Sequence, residues 1–146
     1  ANRADLERML GDDEAAVEWL GKALEWAPEE GLIQYAFGLA LHRLGKAEEA
    51  LEALTRAAQT EPREARFILA WSLALDASGR GSDAVDGLEE AVESGHVDAD
   101  LYHALVTMQR DLGDYERARQ RAEEWLTVWP TDIRAQALLR ELERRR

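Results

Sequence analysis

The stretch GLIQYAFGLALHRLGKAEEALEALTRAAQTEPRE, residues 31–64, decides the fold. It runs Gln34, Phe37-Gly38, Leu41, then Leu44-Gly45, then Ala50, Leu54, Ala57 and finally Pro62. Apolar and small residues recur at helical spacing on both sides of Leu44-Gly45, so the reading is helix, turn, helix, stop. Working outward, the same beat returns every 34 residues. Gly11, Gly45, Gly79 and Gly113 keep that interval, as do Ala16, Ala50, Ala84 and Ala118. Pro28, Pro62 and Pro130 follow it with one beat missed, at His96. A fixed period of this length marks a helical repeat array.

The register sets three full units, 31–64, 65–98 and 99–132, after a partial unit at 1–30 and before a closing helix at 133–146. Each recurring residue has a physical reason. Gly45, Gly79, Gly113 and, by register, Gly11 stand where the first helix of a unit ends, a place that favours left-handed backbone. On this reading the partial unit opens with a helical stump, Asn2 to Leu10. Gly38 and Ser72 face Ala50 and Ala84, where two helices cross closely. Pro62 and Pro130 stop second helices, and Asp98 and Asp132 are placed to cap the helices that follow. Ser94-Gly95-His96 replaces the missing proline, with Gly95 as the stop. In the third unit Ala122 and Trp125 stand where the second has Leu88 and Ala91, a reversal that conserves volume. The five tryptophans (19, 26, 71, 125 and 129) are expected in core or inter-repeat packing, with Trp19 the one nearest an uncovered edge.

The order Leu-Gly, aromatic or large residue, Ala, large residue, Ala, Pro over four registers resembles the tetratricopeptide repeat. The resemblance covers residues 1–132 and implies an all-α, right-handed α-solenoid of helix–turn–helix repeats. The helix 133–146 is expected to be a C-terminal cap, because an array needs a polar outer face on its last helix. Ala135, Leu138, Leu139 and Leu142 form the apolar side of that cap. The whole is read as one repeat domain, excised from a longer protein.

Charge and composition exclude several function classes. With 18 basic and 30 acidic residues the net charge is -12, which repels phosphate backbones, so nucleic acid is not the expected partner. The chain has no cysteine, hence no disulfide, thiol nucleophile or covalent haem attachment. No apolar run is long enough to span a membrane, so a soluble module is expected, cytoplasmic by default. His42, His96 and His103 lie in different units without ligand spacing, so no metal or cofactor is expected. Neither a phosphate loop nor a nucleophile elbow is present. No enzymatic activity is expected.

The tetratricopeptide resemblance implies that first helices line a concave groove for a peptide or partner helix. Its groove positions fall here on Tyr35, Leu39, His42, Arg43, Arg66, Leu69, Leu73, His103 and Thr107. The Lys/Asn clamp by which chaperone-binding members of that family hold a terminal carboxylate is absent from these positions. Instead Tyr35, Leu39, Leu69 and Leu73 form an apolar strip rimmed by polar residues, the pattern of a docking surface for a helix or extended peptide. The leading expectation is therefore a protein-interaction scaffold. The alternative is a structural module that packs on its own chain, or forms a homo-oligomer through an N-terminal end where Trp19, Leu20 and Leu24 lack a covering helix. A narrower likeness, from Ala65-Arg66-Phe67 to Gly79-Arg80 and at Ala137-Leu138-Leu139-Arg140-Glu141-Leu142, is similar to the C-terminal repeat regions of bacterial multihaem cytochromes. It would imply an exported, periplasmic parent, with the haem sites outside these residues.

Overall fold

The computed structural model describes the backbone of residues 3–95 and 98–145, and side chains within those bounds from residue 11 onward. Among the described residues all regular structure is α-helical. The elements are α1 (Arg3–Trp26), α2 (Gly31–Arg43), α3 (Ala47–Thr60), α4 (Ala65–Ala77), α5 (Gly81–Glu93), α6 (Ala99–Asp111), α7 (Tyr115–Val128) and α8 (Ile133–Glu143). This is the all-α helical-repeat class that the 34-residue beat requires. The chain divides into two compact units, Ala1–Ala74 and Leu75–Arg146, with the boundary inside α4.

The turns follow from glycine. Gly45, Gly79 and Gly113 have φ of 76°, 81° and 83°, left-handed values that cost a side-chain-bearing residue about 1–2 kcal/mol. Behind each, the next residue's N–H reaches back around the helix end: Lys46 to the Leu41 carbonyl, Arg80 to Leu75 and Asp114 to Gln109, at 2.9–3.0 Å. These bonds satisfy carbonyls that the helix leaves without partners. Gly95 follows the end of α5 with a left-handed φ of 95°. At the other ends, the Asp98 carboxylate accepts from the Asp100 and Leu101 N–H groups, and Asp132 accepts from Arg134 N–H. Asp98 and Asp132 thus cap as their positions suggest. His96 and Val97 lie outside the described residues.

In the first unit, Leu41, Ala50 and Ala53 form a core against which Val17 and Phe37 pack. Gly38 is what lets α2 and α3 approach. A Cβ built there would lie 2.7 Å from Leu54 Cγ and 3.2 Å from the Ala50 carbonyl oxygen. In the second unit α5 packs on α6, α6 on α7, and α7 on α8. The reversed pair Ala122 and Trp125 is fully buried there, and the indole N–H of Trp125 donates to Asp132 at 3.2 Å. Ala135, Leu138 and Leu142 of α8 are buried and form its apolar side. Each large apolar side chain so covered contributes about 1.5–3 kcal/mol.

Two expectations are corrected. No turn forms at Gly11: α1 runs unbroken from Arg3 to Trp26, and residues 3–10 are not a separate stump. Glycine weakens a helix by about 1 kcal/mol but does not by itself end one. Second, Trp19 and Trp26 are not core residues; they are 76% and 89% exposed.

Candidate functional site

In the first unit the relevant surface is carried by α2 and the part of α4 up to Ala74. Tyr35 lies over Phe67, their ring centroids 4.9 Å apart and tilted by 33°. Gly31 makes room for this, since a Cβ there would come within 3.1 Å of the Phe67 ring. The Arg66 guanidinium sits 6.0 Å from both ring centroids, at the edge of cation–π range. Its Nε donates to Glu64 at 3.1 Å. That bond, together with the Arg66 backbone N–H, holds the Glu64 carboxyl below its ordinary range. The result is an aromatic platform edged by a neutralised ion pair.

Leu39 and Leu69 are half-buried, and Leu73 is 49% exposed, so this face offers apolar surface to solvent. Leu32, one turn before Tyr35, adds a further exposed apolar side chain. His42 and Arg43 are exposed at the C-terminal end of α2, where cations complement the helix dipole. The Arg43 Nε donates to Asp13 of α1 at 2.8 Å, and Asp13 is itself largely covered. Both arginines therefore already have a carboxylate. A guest's acid would have to displace Asp13 or Glu64, so the face is better suited to apolar recognition than to gripping a carboxylate.

In the second unit α6 carries His103 and Thr107. The Thr107 hydroxyl donates to the His103 and Ala104 carbonyls at 2.7 and 3.0 Å, so its hydrogen is used within the helix. His103 is half-buried edge-on to Trp125, with centroids 6.0 Å apart. Burial lowers its pKa, the Arg134 charge lowers it further, and Asp100 and Asp132 oppose both. The net effect favours the neutral imidazole. Around it, Arg134 donates to Asp100 at 2.9 Å and lies 5.5 Å from the Trp125 ring centroid, while Arg110 donates to Glu141 at 3.2 Å. Ion pairs thus tie α6 to α8 at two heights. This face is polar and internally matched, unlike that of the first unit.

Phe67, Glu64 and Asp13 belong to the first surface, although repeat positions alone do not mark them. Gly31 was a usable signal for Phe67, because a glycine opening a helix invites a neighbouring ring. Nothing in local spacing signals Asp13, which meets Arg43 across thirty residues. Among the described residues, no cluster of three His, Asp or Glu side chains could hold a metal ion. No described helix is long and apolar enough to cross a membrane.

The family model for the tetratricopeptide repeat matches residues 1–30 and 33–64. Its first match spans the segment in which α1 is continuous. No curated protein sequence matches the chain. Solved structures do resemble it. A crystal structure of MamA shares 22% identity, with a TM-score of 0.77 over 97% of this chain and 83% of that one. The first tetratricopeptide domain of Spaghetti (RPAP3), solved with the HSP90 peptide SRMEEVD, shares 19% identity, with a TM-score of 0.67 over 78% and 90%. The Sgt2 tetratricopeptide domain from Aspergillus fumigatus shares 18%, with a TM-score of 0.67 over 79% and 78%. At these identities the likeness is one of fold.

Proposed function

From a chain that carries tetratricopeptide repeats, we propose a protein-interaction scaffold that receives a peptide or partner helix on the first-helix face of its first unit. One similar structure, that of RPAP3, holds a peptide from HSP90, which supports peptide capture as a use of this fold. The observation that carries the reading is the apolar surface of Tyr35, Leu39, Leu69 and Leu73, with Leu73 half exposed and Tyr35 stacked on Phe67. Stable monomers seldom leave such a strip open unless it meets something.

On this reading each residue has a role. Tyr35 and Leu73 supply contact area, Leu39 and Leu69 line the surface, and Arg66 braces the Tyr35 ring. His42 and Arg43 form the rim at the end of α2. His103 and Thr107 belong to the corresponding polar face of the second unit, where the half-buried imidazole is the group able to donate or accept. The guest this chemistry fits is an amphipathic helix or extended segment with two or more apolar anchors.

The test uses peptides selected on the immobilised protein from a random display library and resynthesised for fluorescence titration. Leu39→Glu with Leu73→Glu is expected to weaken them at least tenfold while the helical circular dichroism stays unchanged. Equal affinity of the double variant would remove this face from the function.

A further inference from the structure

The exposed sides of α1 and α8 carry complementary stripes. On α1, Asp12, Ala15, Trp19, Lys22 and Trp26 are all exposed and lie three or four residues apart, so they share one side of the helix. The opposite side, with Val17, Leu20 and Leu24, is at least half covered. Trp19 and Trp26 are 76% and 89% exposed, and indoles in water are the largest apolar liability a surface can carry. Glu14, Glu18 and Glu25 run alongside them, all exposed. On α8, Ile133, Ala137, Arg140 and Arg144 form an exposed stripe opposite the buried Ala135, Leu138 and Leu142. In a chain of net charge -12 this stripe is basic, and it begins with an isoleucine that is 76% exposed.

We propose that a second copy of this chain covers the tryptophans: α8 of one molecule packs antiparallel on α1 of the next. Setting Trp26 against Ile133 brings Lys22 over the small Ala137 and Trp19 over Arg140, an indole–guanidinium pair. The same register carries Arg144 and Arg145 to Ala15 and Glu14. Pairing two α1 helices would instead set Glu14, Glu18 and Glu25 against their own copies. Pairing two α8 helices would set arginine against arginine. Charge therefore selects the mixed contact, which joins a face of one kind to a face of the other. A contact limited to about three helical turns falls below the roughly 1,200 Å² of stable complexes, so the association is weak and depends on concentration.

Sedimentation equilibrium of the full chain, from about 10 μM to about 1 mM at low salt, reads this directly. Apparent mass is expected to climb with concentration. Trp19→Glu with Trp26→Glu removes one face, and Arg140→Glu with Arg144→Glu removes the other. All four sites are exposed, so both variants are expected to fold, with circular dichroism and melting as the check. Each variant alone is expected to remain monomeric. Their equimolar mixture is expected to form dimers and nothing larger, because it retains one good face of each kind. A wild-type chain that stays monomeric throughout overturns the proposal. So does an arginine variant that associates as the wild type does, or a mixture that stays monomeric.

Discussion

Gly38 shows how much can depend on one missing methyl group. Position 38 is 2.7 Å from Leu54 Cγ once a Cβ is added, and the Ala50 carbonyl oxygen behind it belongs to the backbone and cannot swing away. Both neighbours are buried to within 2% of full coverage. Gly38→Ala therefore gains helix propensity of about 1 kcal/mol and loses about 1–3 kcal/mol to overpacking. The net expectation is a lower melting temperature, measured by calorimetry, even though alanine is the better helix former. Gly21 is the control. A Cβ there meets only the Phe37 ring at 3.9 Å, an ordinary contact, so Gly21→Ala in the interior of α1 is expected to raise the melting temperature.

At the scale of elements, the second unit contains a polar knot where the preceding repeats use apolar packing. Gln109 occupies the register position of Leu41 and Leu75, and Arg121 that of Ala53 and Gly87. Gln109 Nε2 and Arg121 both donate to Glu89 of α5, and Arg121 also reaches Glu93 and Glu124 at 3.1 and 2.8 Å. The side chains of Glu89 and Arg121 are 14% and 16% exposed. These bonds, Glu89's first, raise the Arg121 pKa against the pull of burial, so the guanidinium stays charged. Glu89→Ala is expected to destabilise by about 1–3 kcal/mol, because it leaves the buried Gln109 amide without its acceptor while Arg121 keeps only its more exposed partners Glu93 and Glu124. Glu89→Thr, Gln109→Leu and Arg121→Ala together restore the residues of the first full unit. Urea titration of that triple variant is expected to recover the loss, since well-packed apolar residues often equal a buried ion pair. The knot also marks where sequence reading stops. Helix–turn–helix order, the glycine turns and the Asp98 and Asp132 caps depend on residues a few positions apart, so spacing reveals them. Arg121–Glu89 and Arg43–Asp13 join residues about thirty apart, and nothing local selects one acid among the 30 available. Gly11 keeps the register, but a glycine's propensity cost of about 1 kcal/mol does not by itself end a helix, and α1 continues through it. The helix carrying each candidate site residue followed from the period, whereas the partners of Arg43 and Arg66 did not.

For the whole molecule the governing quantity is charge. A net -12 surrounds the chain with a negative field that reaches about 10 Å into 0.1 M salt and about 30 Å at 0.01 M. Such a field acts on approach more than on the final contact, and the arginines of the first-unit face, already matched to Asp13 and Glu64, do little to offset it. A selected peptide extended by two terminal lysines, outside its apolar anchors, is therefore expected to associate faster than the same peptide extended by two glutamates. The ratio of on-rates in stopped flow is expected to be about tenfold at 10 mM salt and to fall towards one near 0.5 M. Dissociation rates are expected to match at every salt concentration, because the added charges touch nothing in the complex. A salt-dependent difference in dissociation would mean that the peptide ends reach His42, Arg43 or Arg66, and the recognition surface would then have to be drawn to include charge contacts at its rim.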